Sequence, residues 1–199
     1  MKVLLKLSSW IDIFTERLGD ISTWLTVLVV VIAFINVIIR YLGRTIQISL
    51  TSNGIVEAQW YLYSAIFLLG FAYILKHGVN VRVDFFFTYF SPKQKALVDV
   101  IGHLLFLIPF CILGIYVSIN PVMISWGLLA DGSFSTWEMS PSAGGLPRAP
   151  LKSMVIVAFA TLLLQTISEL IKKLAVLTGH VDYEAVEREK AATANEATG

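Results

Sequence analysis

The stretch ISTWLTVLVVVIAFINVIIRYL, residues 21–42, decides the fold class of this chain. It contains a single charged side chain, Arg40, close to its end. A bilayer core about 30 Å thick is crossed by roughly 20 predominantly apolar residues in helical conformation. The run is continuously apolar, whereas a strand of a membrane barrel alternates apolar and polar side chains. We therefore predict that residues 21–42 form a transmembrane α-helix.

Three further stretches have the same character, at residues 55–75, 97–119 and 153–171, and polar or Gly- and Pro-containing segments separate them. Hydrophobic residues make up 56% of the 199 residues and charged residues 15%, and the mean hydropathy is +0.75. Soluble domains usually carry about 25% charged residues. The sequence thus predicts an all-α integral membrane protein with four transmembrane helices.

The Lys and Arg residues are distributed unevenly between the two sides of such a bundle. Eleven lie in the amino-terminal segment, in the loop after the second span and in the carboxyl-terminal tail, whereas four lie near the two remaining loops. Because cytoplasmic loops carry the excess of positive charge, we expect both termini in the cytoplasm. The expected location is the bacterial inner membrane, with the chain crossing it several times.

Residues 1–20 and 175–199 flank a predicted membrane domain of residues 21–174. In the first segment apolar residues recur at helical spacing and most charges lie opposite them, which predicts an amphipathic helix at the cytoplasmic interface. The alternative is a simple upstream extension of the first span. That span is longer than the roughly 7–15 apolar residues of a signal peptide and lacks a following cleavage motif, so we expect it to be retained. The last segment is a polar tail.

The outward loop of residues 120–152 is long for a connection within a helix bundle. It contains Trp126 and Trp137, and tryptophan rings favour the headgroup level of a membrane. Aromatic side chains are also common in the surfaces by which proteins dock. The sequence leaves both interpretations open, a connector that follows the membrane surface and a docking surface for a partner.

Three polar side chains in the first two spans are the first candidates for a functional or structural role. Arg40 and Glu57 lie at similar depth near the outer ends of their spans. An ion pair between them would lower the cost of placing either charge in the membrane, and Glu57 as a proton-coupling carboxylate is the alternative. Asn36, the most central polar residue of the first span, is expected to seek a hydrogen bond to another helix.

Asp99 and His103 lie four positions apart near the inner end of the third span, on one face of the helix. This spacing predicts a hydrogen-bonded pair. A proton relay would require further partners from other helices, and the sequence does not indicate any.

Other kinds of chemistry find little support in the composition. The single cysteine, Cys111, lies in an apolar run, and only one of the three histidines falls within a predicted span, which argues against a metal cluster or a bis-histidine haem. No phosphate-binding loop or catalytic triad pattern stands out. The net charge of +1 gives no attraction to nucleic acid. We expect no cofactor and no enzymatic activity, and interpret the chain as a scaffold that works with a larger membrane partner.

Four short motifs occur in a recognisable order along these predicted spans and loops. They are Asn36-Val-Ile-Ile-Arg40-Tyr41 at the end of the first span, Glu57 at the head of the second, Asn80-Val-Arg82-Val-Asp84 in the inner loop, and an outer set of Ser125-Trp126, Trp137-Glu138-Met139-Ser140 and Gly144-Gly145-Leu146-Pro147, with Gln165 and Glu169 later. In this order they resemble the small membrane subunit of tripartite ATP-independent periplasmic (TRAP) transporters, the DctQ-like proteins. The resemblance covers roughly residues 10–175.

The resemblance implies a set of partners. A larger, DctM-like membrane subunit would bind substrate and Na⁺, and a soluble, DctP-like periplasmic protein would deliver the substrate, usually an organic acid. The small subunit would brace the larger one in the lipid bilayer and contribute to the periplasmic docking surface. The choice of substrate would not lie in this chain.

The resemblance also implies roles for particular residues. Arg40 and Glu57 would lie near the subunit interior, and Arg82 and Asp84 would order the inner loop through a salt bridge or a helix cap. The outer residues would face the delivery protein or brace the outer rim, and they are Trp126, Trp137, Glu138 and Ser140.

Two other functions remain as alternatives. A self-sufficient small transporter, assembled from copies of this chain, would use Glu57 to couple protons. A membrane-anchor subunit of a redox enzyme would bind haem or quinone, and the lack of a second histidine within the spans argues against the haem form.

Overall fold

The computed structural model describes residues 1–47, 52–79 and 89–196. Within these ranges the chain forms five helices and no extended strand: α1 (Lys2–Thr45), α2 (Asn53–His77), α3 (Pro92–Ser125), α4 (Ala149–Leu177) and α5 (Tyr183–Glu196). The first four are long and apolar enough to cross a membrane. The predicted fold class, all-α with four membrane-spanning helices, is confirmed.

Local sequence signals define several helix ends. Ser52 caps α2 by accepting a hydrogen bond from the amide of Ile55, and Gly78 ends the same helix in the left-handed conformation at φ 65°, which glycine adopts without strain. At the start of α3, Ser91 and Gln94 form a reciprocal capping box and Pro92 occupies the first turn. These caps satisfy backbone groups that a helix end leaves without partners.

Helix α1 is continuous over 44 residues, which corresponds to a length of roughly 66 Å. The predicted amphipathic segment and the first span are therefore one helix without a break. That residues 1–20 lie on the cytoplasmic interface stays a prediction.

Helix α4 lies at the centre of the bundle and packs against α1, α2 and α3, while α1 and α2 also pack against each other. Helix α3 makes its main contacts with α4. One close approach fixes them: a Cβ on Gly114 would lie 2.6 Å from the ring of Phe159, and that ring stacks edge-on against Phe110. The turn at His103–Leu107 of α3 is π-helical.

Helix α5 packs against the end of the bundle where the chain begins. Tyr183 and Val186 of this helix are buried with Ala96 of α3 and Val176 of α4. The carboxyl-terminal helix therefore joins the start of α3 to the end of α4.

Candidate functional site

The carboxylate of Glu57 holds the loop between α3 and α4, residues 126–148 (the outer loop), to the first turns of α2. Glu57 is 5% exposed and accepts hydrogen bonds from the Ser140 hydroxyl and, at 2.7 Å, from the Leu146 amide. The Tyr61 hydroxyl donates to the Leu146 carbonyl at 3.4 Å, and the Asn53 side chain donates to the Ala143 carbonyl at 3.1 Å. One face of α2 thus holds the segment from residue 140 to residue 146.

Gly145 makes this contact sterically possible. A Cβ at this position would lie 2.7 Å from a carboxylate oxygen of Glu57 and 2.6 Å from the side chain of Ser140. Any larger residue would push the loop away from α2. Close packing therefore explains why the second glycine of the Gly144-Gly145 motif is a glycine.

Glu138 fastens the other half of the loop. Its carboxylate accepts from the Ser125 hydroxyl and pairs with Lys152 at 2.5 Å and with Arg148 at 3.9 Å. Its backbone is also held, since its amide donates to the Ser125 carbonyl at 2.9 Å and its carbonyl accepts from the Arg148 amide at 2.8 Å. The hydrogen bonds from Lys152 and Ser125 hold the pKa of Glu138 below its ordinary value, because they favour the charged form.

Trp126 is held within the protein, whereas Trp137 and Met139 of the outer loop are exposed. The Trp126 ring lies edge-on against Trp137 at 4.6 Å between centroids, and its N–H donates to the Ser153 hydroxyl at 2.8 Å. Trp137 is 49% exposed, and Met139, two residues further along the chain, is 57% exposed. The loop is thus held to α4 through Trp126 and presents apolar side chains on its surface.

At the opposite end of the bundle, α1 and α4 are joined by buried polar contacts. Ser8 and Ser168 hydrogen-bond through their hydroxyls at 2.7 Å, and Thr15 donates to Gln165 at 2.7 Å. Asp12 accepts from Gln165 and Ser168 and pairs with Lys172 at 2.6 Å. In a low-dielectric setting such paired groups fix the register of two helices.

Ion pairs extend this contact to the other helices. Glu169, almost fully buried, pairs with Lys172 at 3.2 Å and with Lys190 of α5. Lys173 pairs with Asp99 of α3 at 3.1 Å and lies 4.4 Å from the centre of the Tyr183 ring.

The amino-terminal half of α1 is joined to the end of α2 by a separate group of charges. Glu16 pairs with Lys76 and lies 3.3 Å from the ring nitrogen of His77. The Tyr73 ring lies against the His77 ring at 4.2 Å between centroids.

Two predictions about side-chain pairing in the spans are wrong. Arg40 is exposed and does not reach Glu57, whose carboxylate is taken up by Ser140 and Leu146. Equal depth places two residues at one level of the membrane but does not set the direction in which each helix points them. Asp99 forms its ion pair with Lys173, and no hydrogen bond joins it to His103 among the described residues.

Two further predictions have different outcomes. The side-chain oxygen of Asn36 is buried and has no hydrogen-bond partner within the described residues, so the expected interhelical bond does not form at that oxygen. Arg82 and Asp84 lie outside the described residues.

Sequence reasoning did not identify the polar contacts between α1 and α4. Their signal is a stripe on each helix, with Ser8, Asp12 and Thr15 at helical spacing on the first and Gln165, Ser168, Glu169 and Lys172 on the second. A polar stripe inside a long apolar helix predicts a polar partner. Within the described residues, no three Asp, Glu, His or Cys side chains come together as metal ligands.

Comparison with known families gives one match. The family described as "Tripartite ATP-independent periplasmic transporters, DctQ component" matches residues 29–176, about three quarters of the chain. Comparison with curated proteins and with solved structures finds no match.

Proposed function

Because the chain belongs to the DctQ family of TRAP transporters, we propose that it braces the large membrane subunit and, through its outer loop, helps to dock the periplasmic substrate-binding protein. The family and the four long apolar helices make it a multi-pass inner-membrane component of a tripartite transporter.

The exposed apolar surface of α1 supports the bracing role. Phe34, Val37 and Tyr41 are each more than half exposed and lie on one side of the helix. They leave a broad surface for lipid and for a second membrane protein. Arg40 lies at the edge of this surface and forms no ion pair with the described residues, so an acidic group of the large subunit would be a suitable partner.

The single observation that carries the docking role is the double fastening of the outer loop. Glu57 holds one half of the loop to α2, and Glu138 holds the other half to the start of α4. On either side of Glu138 in the sequence, Trp137 and Met139 are exposed. A loop that is already ordered loses little conformational entropy when a partner binds, and aromatic and Met side chains are enriched in docking surfaces.

Substrate binding and Na⁺ coupling would then belong to the large subunit. The self-sufficient alternative requires a carboxylate that can take up and release protons, and Glu57 is its candidate. In the structure this carboxylate is engaged by two donors of the outer loop. Its geometry favours a structural role.

Site-specific photo-crosslinking in the native host tests the docking role. A crosslinking amino acid at Met139 should capture the periplasmic substrate-binding protein, whereas one at Tyr89, which is 82% exposed near the inner end of α3, should not. Absence of a Met139 adduct from a complex that still contains the large subunit would overturn the docking role and leave the bracing role in place.

A further inference from the structure

A groove of about 920 Å³ runs along the amino-terminal half of α1. Its wall on α1 extends from Ser9 to Trp24, and the opposite wall is formed by the end of α2 together with residues of α4 and α5. The α1 wall is roughly 22 Å long at the rise of an α-helix. A volume of this size falls within the range of roughly 300–1,000 Å³ that is usual for small-molecule sites.

The groove is charged at one end and apolar at the other. Charged side chains line it from Asp12 to Asp20, and the predicted span begins at the next residue, Ile21. Trp24 lies one turn further along and is 74% exposed. The charged part thus lies at the level of lipid headgroups, and the apolar part leads into the hydrocarbon region, where tryptophan favours the boundary.

The charged side chains of the groove differ in how firmly ion pairs hold them. Lys76 is held by Glu16, and Lys172 is held by Asp12. Within the described part of the chain, Arg17 and Asp20 pair only with each other, at 3.6 Å, and their side chains are 78% and 57% exposed. An exposed pair of this kind contributes little to stability, so a ligand can open it without a large cost.

We propose that this groove binds a zwitterionic phospholipid whose headgroup lies across the opened Arg17–Asp20 pair, with the phosphate at Arg17, the ammonium group folded back to Asp20 and an acyl chain along Trp24. A zwitterion gives each member of the opened pair a new opposite charge, whereas a purely anionic headgroup would leave the Asp20 carboxylate facing a second negative charge. Basic pockets between membrane helices take anionic lipid headgroups, whereas this groove is lined by acidic as well as basic side chains. The site uses residues of this chain alone, and it goes beyond the bracing and docking roles.

Native mass spectrometry of the purified, delipidated chain tests the proposal. The lipid titrated is phosphatidylethanolamine, and phosphatidylglycerol with the same acyl chains is compared with it. We expect one tight site with about fivefold or greater preference for phosphatidylethanolamine. Equal or stronger binding of phosphatidylglycerol would overturn the zwitterionic assignment. This comparison uses the unaltered protein, so it does not depend on the folding of a variant.

A pair of double variants tests the location. Arg17→Gln with Asp20→Asn should weaken phosphatidylethanolamine binding about tenfold. The matched control is Arg188→Gln with Glu184→Gln, which removes another exposed ion pair on a helix, joined at 3.0 Å, and should leave binding unchanged. An equal loss in both double variants, or in neither, would overturn the groove as the site.

A soluble headgroup separates the lipid from its polar part. Glycerophosphoethanolamine, which lacks acyl chains, should bind at least about tenfold more weakly than the lipid. Equal binding would overturn the role assigned to the apolar end of the groove. Because these experiments use the chain without partners, their failure would leave the bracing and docking roles intact.

Discussion

The carboxylate of Glu57 and the backbone amide of Leu146, 89 positions apart in the chain, are joined by a hydrogen bond of 2.7 Å. This bond, together with the hydrogen bond that the Ser140 hydroxyl donates to the same carboxylate, connects the start of the second membrane helix to the outer loop. Glu57 is thereby a structural anchor of the loop that precedes α4. Glu57, which its predicted depth in the membrane paired with Arg40, instead contacts Ser140 and Leu146.

Replacing Glu57 by Gln should loosen the outer loop. The amide keeps the size of the side chain but accepts hydrogen bonds less strongly than a carboxylate, because charge-assisted bonds are the stronger kind. We expect the Tm of the purified chain to fall by roughly 2–4 °C, the shift for the loss of about one net hydrogen bond in a protein of this size. Glu184→Gln, on the exposed face of α5, is the control and should change the Tm by less than about 1 °C. Equal shifts in the two variants would contradict the anchor role.

The contribution of Glu138 to stability should depend on pH. Its pKa in the folded chain lies below the ordinary value of 4.5, so its stabilising effect is present above that value and is lost as the pH falls through the lowered pKa. Thermal unfolding followed by Trp fluorescence should therefore show wild type more stable than Glu138→Gln at pH 7. The difference should shrink below about pH 4.5. A difference that stays constant from pH 7 to pH 3 would exclude the ion pairs with Lys152 and Arg148 as its cause.

Replacing Gly114 by Ala should separate α3 from α4. The added methyl group would overlap the ring of Phe159, and inserting atoms into a packed contact typically costs about 1–3 kcal/mol. Gly102→Ala is the matched control on the same helix, because a Cβ there meets nothing within 4 Å. Urea or thermal unfolding in detergent should place Gly114→Ala below wild type and Gly102→Ala at or above it. The reverse order would contradict the packing of these two helices.

Replacing Lys190 by Met should release α5 from the bundle. The variant keeps the apolar stem but removes the charge that pairs with the almost fully buried Glu169. We expect a cost of about 1–3 kcal/mol, below that of a wholly unpaired buried charge, because Lys172 still lies 3.2 Å from Glu169. Hydrogen exchange in α5 should accelerate accordingly, and Arg188→Met, whose pair is exposed, should leave it nearly unchanged. Equal acceleration in both would show that the buried pair does not hold the helix.

The sequence alone could predict the membrane helices, because a long apolar run has one physical solution in a bilayer. It could not predict the direction in which each polar side chain points. Glu57 meets Leu146 rather than Arg40, and Asp99 meets Lys173 rather than His103. These partners come from distant parts of the chain, and the rotation of each helix about its axis depends on packing that the pattern of residues does not specify. Lys190 illustrates the same point, because a polar tail gave no sign that one of its charges would be buried.

The outer loop could be predicted in part: the sequence indicates its residues but not all of their partners. The sequence motifs contain Glu57 of α2 and Ser140, Gly145 and Leu146 of the loop, and the structure brings these four residues together. That Glu138 and Ser140 face a partner stays a prediction. Both side chains form hydrogen bonds within the chain.

The central claim is that this chain works as the small subunit of a larger membrane complex. The most direct measurement is affinity purification of the carboxyl-terminally tagged chain from its own host in mild detergent, with mass spectrometry of the proteins recovered. We predict a much larger polytopic membrane protein near a one-to-one ratio. Recovery of this chain alone, as a stable assembly of identical copies, would contradict the claim and make Glu57 the first residue to test for proton coupling.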